Sequence, residues 1–360
     1  MHMIGSAQRP LVIGTRGSKL ALTQTQMVAA DLEQRGLAVR IETFVTEGDT
    51  NRASLSSLGG VGVFAAALRV ALLEGRCDLV VHSLKDLPTV EVPGLVVAAI
   101  PARVDPADVL VARDGLRLAD LPAAARVGTG SPRRARQLAA ARPDLSLVDI
   151  RGNVPTRIGR VRGLGTRAEQ IGLDQDRAKE DLDAVVLARA GLRRLGVEDV
   201  ATDDLSETIL PAGGQGALAL ETVADGLAAE EGRILAQTLR IVDDEPTRLE
   251  VSAERALLRY LEAGCAAPLG VRGQLTWENN ATELLAGVLE LRARVVGDNG
   301  ESVEVSGETT VLLGTDADQR DFALAAAEQL GVDLATELLA NGAGEMANLQ
   351  ATKESGTTQS

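Results

Sequence analysis

The sequence predicts an α/β protein: two α/β lobes followed by a smaller α+β domain. Three observations carry this. Short apolar runs alternate with segments of helical periodicity through the first two-thirds of the chain, the pattern of sheets covered by crossover helices. That scheme runs once from Leu11 and restarts at Arg126, which makes two lobes. Beyond about Asp243 the apolar residues alternate singly, in Leu284 to Val296 and Ser302 to Glu308, as antiparallel strands require. With 360 residues and 45% hydrophobic content, the chain can build two or three domains with full cores.

In order along the chain, Leu11 to Ile13 is a strand, GTRGS a turn, and Lys19 to Arg35 a helix with apolar residues at Leu20, Leu22, Met27, Val28 and Leu32. Leu79 to Val81 and Leu95 to Ile100 are buried strands, the first ended by HSLKDLP; Pro101 and Pro106 then bracket a charged crossing. From Arg126 come Val127 with GTGS, a helix through Ala141, the strand Leu145 to Ile150 ending in RGN, and the strand Ala184 to Ala188 before AGLRRLG. These are read as parallel layers. PAGGQG at Pro211 to Gly216 is a second, non-helical crossing, and the apolar Ala217 to Leu220 returns the chain to its first lobe. The expected division is residues 10–101 plus 217–234 for lobe 1, 106–210 for lobe 2 and 239–345 for the C-terminal domain. That domain holds helices from Glu245 to Glu262 and from Asp318 to Ala340, and the polar tail at 346–360 is expected to be disordered.

Charge narrows the function. Lysine plus arginine number 37 against 51 acidic residues, a net charge of −14, so a general basic surface for nucleic acid is excluded. No run of about 18 apolar residues is present for a membrane span and no secretory h-region opens the chain, so a cytoplasmic protein is expected. Two cysteines and two histidines give neither a disulfide framework nor a Cys/His metal site; composition leaves carboxylate-bound magnesium open, but no metal is expected at the site.

The cations are concentrated in loops. GTRGSKLA from Gly14, GTGSPRRAR from Gly128 and RGNVPTR from Arg151 set arginines among Gly, Ser and Thr at strand ends. There, helix N-termini, hydroxyls and planar guanidiniums favour a carboxylate or phosphate. With HSLKD, these loops lie on both lobes and imply a cleft for a small polyanion. Lys85 and Asp86 follow an apolar strand in a chain with only four lysines; they read either as an exposed loop pair or as an anchored ammonium beside a partly desolvated carboxylate that stabilises a developing cation. Cys265, in EAGCAAPLG, has small neighbours that leave its thiol open, whereas Cys77 adjoins an apolar strand. An open lone thiol is a candidate attachment point.

Taken together and in order, GTRGSKLALTQ, VHSLKDLP, VGTGSPRR, RGNVPTR, LPAGGQGAL and LEAGCAAPLG resemble hydroxymethylbilane synthase, also called porphobilinogen deaminase, over about Leu11 to Gly342. The resemblance implies two lobes like type II periplasmic binding proteins and a third domain carrying one covalent dipyrromethane cofactor per chain. It implies a monomer that condenses four porphobilinogen molecules, with loss of ammonia, and releases linear hydroxymethylbilane. By the same resemblance Cys265 is the thioether attachment point; Ser83, Lys85, Thr129, Ser131, Arg133, Arg134 and Arg157 bind the cofactor's carboxylates; and Arg16, Ser18, Arg151, Arg194, Phe64 and Gln215 serve the substrate or the growing chain. Asp86 is then the catalytic carboxylate.

Three departures from the family pattern stand out. Val61 replaces a lysine in the Gly-rich Gly48 to Phe64 loop, Gly130 replaces a second serine, and residues 160–180 read as a surface insertion. Two other function classes fit parts of the sequence. A small-anion binding protein would share the lobes but would need no open cysteine turn and would normally be exported. An enzyme for a phosphorylated sugar would want a phosphate-loop fingerprint, which neither GTRGS nor GTGS supplies.

Overall fold

The structure, a computed structural model, describes residues 3–44, 63–174, 178–264, 267–277, 285–313, 317–347 and 349. Its strands are β1 (Leu11–Arg16), β2 (Val39–Phe44), β3 (Leu79–Ser83), β4 (Leu95–Ala99), β5 (Asp108–Ala112), β6 (Arg126–Thr129), β7 (Ser146–Asp149), β8 (Ala184–Ala188), β9 (Asp203–Asp204), β10 (Leu218–Val223), β11 (Leu269–Trp277), β12 (Leu285–Val296) and β13 (Ser302–Leu313). They form two five-stranded sheets, ordered β2-β1-β3-β10-β4 and β7-β6-β8-β5-β9, and a three-stranded sheet, β11-β12-β13. The first two orders are one topology used twice. This is the expected class: two sheet-containing lobes plus a smaller C-terminal domain.

The lobes are mixed sheets where the sequence pattern predicts parallel ones. β1 lies parallel to β2 and β3, but β10 lies antiparallel to β3 and β4, and β5 antiparallel to β8. The cause is the connection. A parallel neighbour needs a crossover helix to carry the chain back to the same edge, whereas β5 and β10 arrive straight from the other lobe. Asp108 pairs with Ala188, and Leu218 with Ser83, so each arriving strand begins where its neighbour ends. The two crossings therefore lie at the ends of the sheets that carry the predicted anion loops. They also run side by side: Val104 N donates to Gly216 O at 3.4 Å, and a Cβ on Gly216, whose φ is +89°, would meet Val104 O at 2.2 Å.

Burial explains the elements. β3, β5 and β8 are apolar and almost wholly buried, flanked by cores on both faces. The Lys19–Gln34 helix starts where Ser18 Oγ accepts from Ala21 N and buries Val28, Ala29 and Leu32 against lobe 1. In the C-terminal domain the Glu245–Tyr260 and Ala317–Ala340 helices pack on the antiparallel sheet through Leu249, Leu257, Leu334 and Leu338.

Two expectations are corrected. Residues 160–180 are not only surface: Val161 pairs with Leu182, a helix spans Gly165–Gln170, and Ala168, Ile171 and Leu173 enter the lobe 2 core. Apolar residues at that helical spacing overrode the charged composition. Of the tail expected to be disordered from residue 346, Met346 and Ala347 belong to the Ala343–Ala347 helix and Leu349 is buried against the C-terminal core; residues 348 and 350–360 lie outside the described set.

Candidate active site

The predicted polar residues converge at the strand ends because strand length places them there. β1 closes on half-buried Arg16; β3 closes on Ser83, followed by one tight turn, Leu84–Asp86, that carries Lys85 and Asp86. β6 ends at Thr129, and Ser131 opens the Pro132–Ala141 helix, with proline at its first position. After β7, Asn153 caps the Val154–Ile158 helix by accepting from Thr156 N at 3.0 Å, which sets Arg151 and Arg157 on either side of that turn. Arg194 ends the helix that follows β8.

At the centre sits a residue that the sequence reading missed. Asp108, at the first position of β5, has no exposed surface. It accepts from Arg133 Nη1 at 2.8 Å, Arg134 Nη2 at 2.6 Å and Gln215 Nε2 at 2.8 Å. Burial raises its pKa, but the two guanidiniums outweigh that and hold it well below the usual carboxylate range. Gln215 relays this across the lobes, since Lys85 Nζ donates to its Oε1 at 3.2 Å. The available signal was a lone carboxylate opening an apolar VLVA run immediately after a crossing. Removing it should be costly: Asp108→Leu leaves two buried cations without their counterion, and urea unfolding is expected to show a loss of about 3–5 kcal/mol.

The other cations of these loops are shifted by burial and by one another. Burial lowers the Lys85 pKa to about 8, opposed by Asp86 and reinforced by Arg134. Burial also lowers Arg157 to about 10, helped by Arg134 and Arg151 and opposed by Asp149 and Asp86. So Asp86 of lobe 1 and the arginines of lobe 2 share one field. Arg194 donates to Gly216 O at 2.6 Å, and burial alone lowers it to about 10. Among the described residues the buried Nε atom of Arg189, and those of the predicted site residues Arg134, Arg151 and Arg194, have no hydrogen-bond partner. Buried donors are rarely left so; the last three fit the carboxylates of a bound polyanion.

Other predicted residues divide. Ser83 Oγ donates to Gln24 Oε1 at 3.1 Å, Thr129 Oγ1 accepts from Ser131 N at 3.2 Å, and Ser18 is occupied as a helix cap. Phe64 lies in the first turn of the Val63–Leu73 helix, but its side chain, Val61 and Cys265 fall outside the described residues. Beside Cys265, Ala267 N donates to Gly264 O at 3.0 Å, drawing its two flanks together. Cys77 is buried, and burial first, then Asp78, pushes its thiol up to about 11, which makes it a poor nucleophile. Gly130 is required by close approach, since a Cβ there would lie 2.3 Å from Ile150 O; a serine could not be added without moving the backbone. Among the described residues no group of three or more His, Cys, Asp or Glu could hold a metal ion, and no helix is long and apolar enough to cross a membrane.

Residues 11–231 match the family model "Porphobilinogen deaminase, dipyromethane cofactor binding domain", and residues 248–340 match "Porphobilinogen deaminase, C-terminal domain". The chain belongs to the porphobilinogen deaminase family. Porphobilinogen deaminase of Cutibacterium acnes is 52% identical over 349 residues, covering 96% of this chain and 98% of that one. The deaminase of Micrococcus luteus is 50% identical over 353 residues, covering 93% of each. A nutrient binding protein from Burkholderia cenocepacia bound to methionine aligns with 64% of this chain and 91% of its own at 14% identity, with a TM-score of 0.36. Porphobilinogen deaminases are transferases of tetrapyrrole synthesis that act on porphobilinogen and carry a dipyrromethane cofactor. The unpartnered donors of Arg134, Arg151 and Arg194 have the chemistry that would suit an anionic group.

Proposed function

We propose that this chain condenses four porphobilinogen molecules head to tail, one at a time, and releases linear hydroxymethylbilane by hydrolysis. The observation that carries this reading is the joining of Lys85, Gln215, Arg133 and Arg134 around buried Asp108, next to Asp86 and Arg157. When bound, the dipyrromethane supplies the free pyrrole α-carbon to which the first ring is joined. Cys265 would attach it, and Lys85, Arg133, Arg134 and Arg157, with the hydroxyls of Ser83, Thr129 and Ser131, would hold its carboxylates by charge-assisted hydrogen bonds.

Arg16, Ser18, Arg151 and Arg194 bind the carboxylates of incoming porphobilinogen and of the lengthening product, with Phe64 at the cleft's edge. Ser18 keeps its hydroxyl hydrogen for donation, since among the described residues its oxygen accepts from Ala21 N. Asp86 stabilises the positive charge that develops on the porphobilinogen ring as its ammonia leaves. Gln215, on the second crossing, touches both lobes, so movement about the crossings alters the room between them. The same reading takes the protein as a cytoplasmic monomer; light scattering checks the second term.

The decisive experiment is intact-protein mass spectrometry after mixing with limiting porphobilinogen. The expected result is a starting mass with a covalent surplus of two pyrrole units, then a ladder of equal pyrrole steps and free hydroxymethylbilane. Reversible binding of an anion with no covalent ladder would instead mark a binding protein.

A further inference from the structure

The turn that carries Asp86 is gripped from outside the lobes. Leu84 and Leu87, on either side of Lys85 and Asp86, are buried in one cluster with Val251 of the Glu245–Tyr260 helix. Four residues further on, on the same helix face, Arg255 reaches the same loop: Nη1 donates to Leu87 O at 3.0 Å and Nη2 to Pro88 O at 2.8 Å. A planar fork on two successive carbonyls fixes the path of the backbone immediately after Asp86.

This contact is an expensive choice for a purely structural one. Burial lowers the Arg255 pKa to about 10, reinforced by Arg259 and Arg69 and opposed by Glu221, and its two hydrogen-bond acceptors are neutral carbonyls. The preceding residue braces the other side of the site. Glu254, with no exposed surface, accepts from Arg103 Nη1 at 2.7 Å, Gly214 N at 2.6 Å and Gly273 N at 2.8 Å. Arg103 belongs to the first crossing and Gly214 to the second. One helix thus holds both crossings through Glu254 and the Asp86 turn through Arg255, and the chain then runs on from that helix to Gly264 and Cys265.

We propose that Arg255 is a positioning residue for ring addition: by holding the Leu87 and Pro88 carbonyls it sets the Asp86 carboxylate at a defined place relative to the helix that leads to Cys265. The inference rests on the reading of Asp86 as the charge-stabilising carboxylate. Its effect is expected on rate, because the Arg255 guanidinium is engaged by the Leu87 and Pro88 carbonyls. Misplacing a reacting group by an ångström or so can cost up to about 100-fold, and loss of one supporting contact is expected to cost about 10-fold in kcat.

The test is a double-mutant cycle on the full, cofactor-loaded enzyme, with cofactor content followed by intact mass and turnover by porphobilinogen consumption. Arg255→Gln should lower kcat about 10-fold while the KM for porphobilinogen and the loaded fraction stay within about two-fold. Arg255→Lys, which keeps the charge and a donor and also guards against a folding defect in the glutamine variant, should recover part of the loss. In an Asp86→Asn background, Arg255→Gln should change the rate by less than about two-fold, since the carboxylate it positions is gone. An unchanged kcat in Arg255→Gln, or a full further loss on top of Asp86→Asn, would overturn the proposal while leaving the Asp86 reading intact. Near-normal turnover by Asp86→Asn alone would overturn both.

Discussion

Cys265→Ser is expected to purify without the covalent pyrrole surplus and to have no measurable turnover, while Cys77→Ala keeps both. Cys77 lacks the one property that decides attachment, an available thiolate. Cys77 is buried beside Gly14 and Phe44, and its pKa near 11 leaves it almost wholly protonated at neutral pH. It cannot take over the attachment. Cys265 follows a helix end and lies between Gly264 and Ala267, whose backbones are hydrogen bonded. A serine there keeps size and turn geometry but offers an alcohol that is hardly ionised, so the fold survives and the thioether does not form. The comparison needs only intact mass and a melting curve. A surplus retained in Cys265→Ser, or mapped to Cys77 by peptide sequencing, would refute the assignment.

The strand ends were legible in the sequence because fully buried strands are written as unbroken apolar runs: LVV before HSLKD and AVVLA before RAGLRR coincide with β3 and β8. The anion loops were legible for a related reason, since glycine, hydroxyls and arginine together at such an end have few other uses. What the sequence hid is long-range pairing. β2 is a half-buried edge strand that alternates apolar and polar residues, β9 is two residues long, and neither is written as an unbroken apolar run. Asp108 reads as one acid among 51; only the fold shows that it lies between Arg133 and Arg134, 25 and 26 residues away. Arg255 reads as the outer face of a helix, and its partners lie 168 and 167 residues back.

One such pairing bears on the insertion. Lys19, beside Arg16 and Ser18 on lobe 1, donates from Nζ to Ile171 O at 2.9 Å, just past the last turn of the Gly165–Gln170 helix of lobe 2. An ammonium at a helix C-terminus is favourably placed. The added residues thus extend the contact between lobes at the edge where the incoming substrate is expected, a consequence that charged composition alone could not indicate.

Asp86→Asn is expected to fold, to load its cofactor and to lose turnover by about 100- to 1,000-fold, or ~2.7–4 kcal/mol of transition-state stabilisation. The amide keeps the shape of the carboxylate and a hydrogen-bond acceptor, so charge is the variable tested. Loading is expected to survive because the groups proposed to hold the carboxylates, Lys85, Arg133, Arg134 and Arg157, are all cations, and removing a neighbouring negative charge only strengthens their pull on an anion. Turnover does not survive, because as ammonia leaves, the ring acquires positive charge amid these same cations. Arg157 and Lys85 both lie within the field of Asp86, so the asparagine variant exposes the developing cation to their repulsion without a counterweight. Each ring addition meets this penalty anew. In mass spectra taken after limiting porphobilinogen, the wild-type ladder should climb through successive pyrrole steps while Asp86→Asn stalls near its base. A cofactor-loaded Asp86→Asn enzyme that climbs the ladder at a near-normal rate would remove Asp86 from this role and shift attention to Lys85, whose pKa near 8 would let it shuttle a proton at neutral pH.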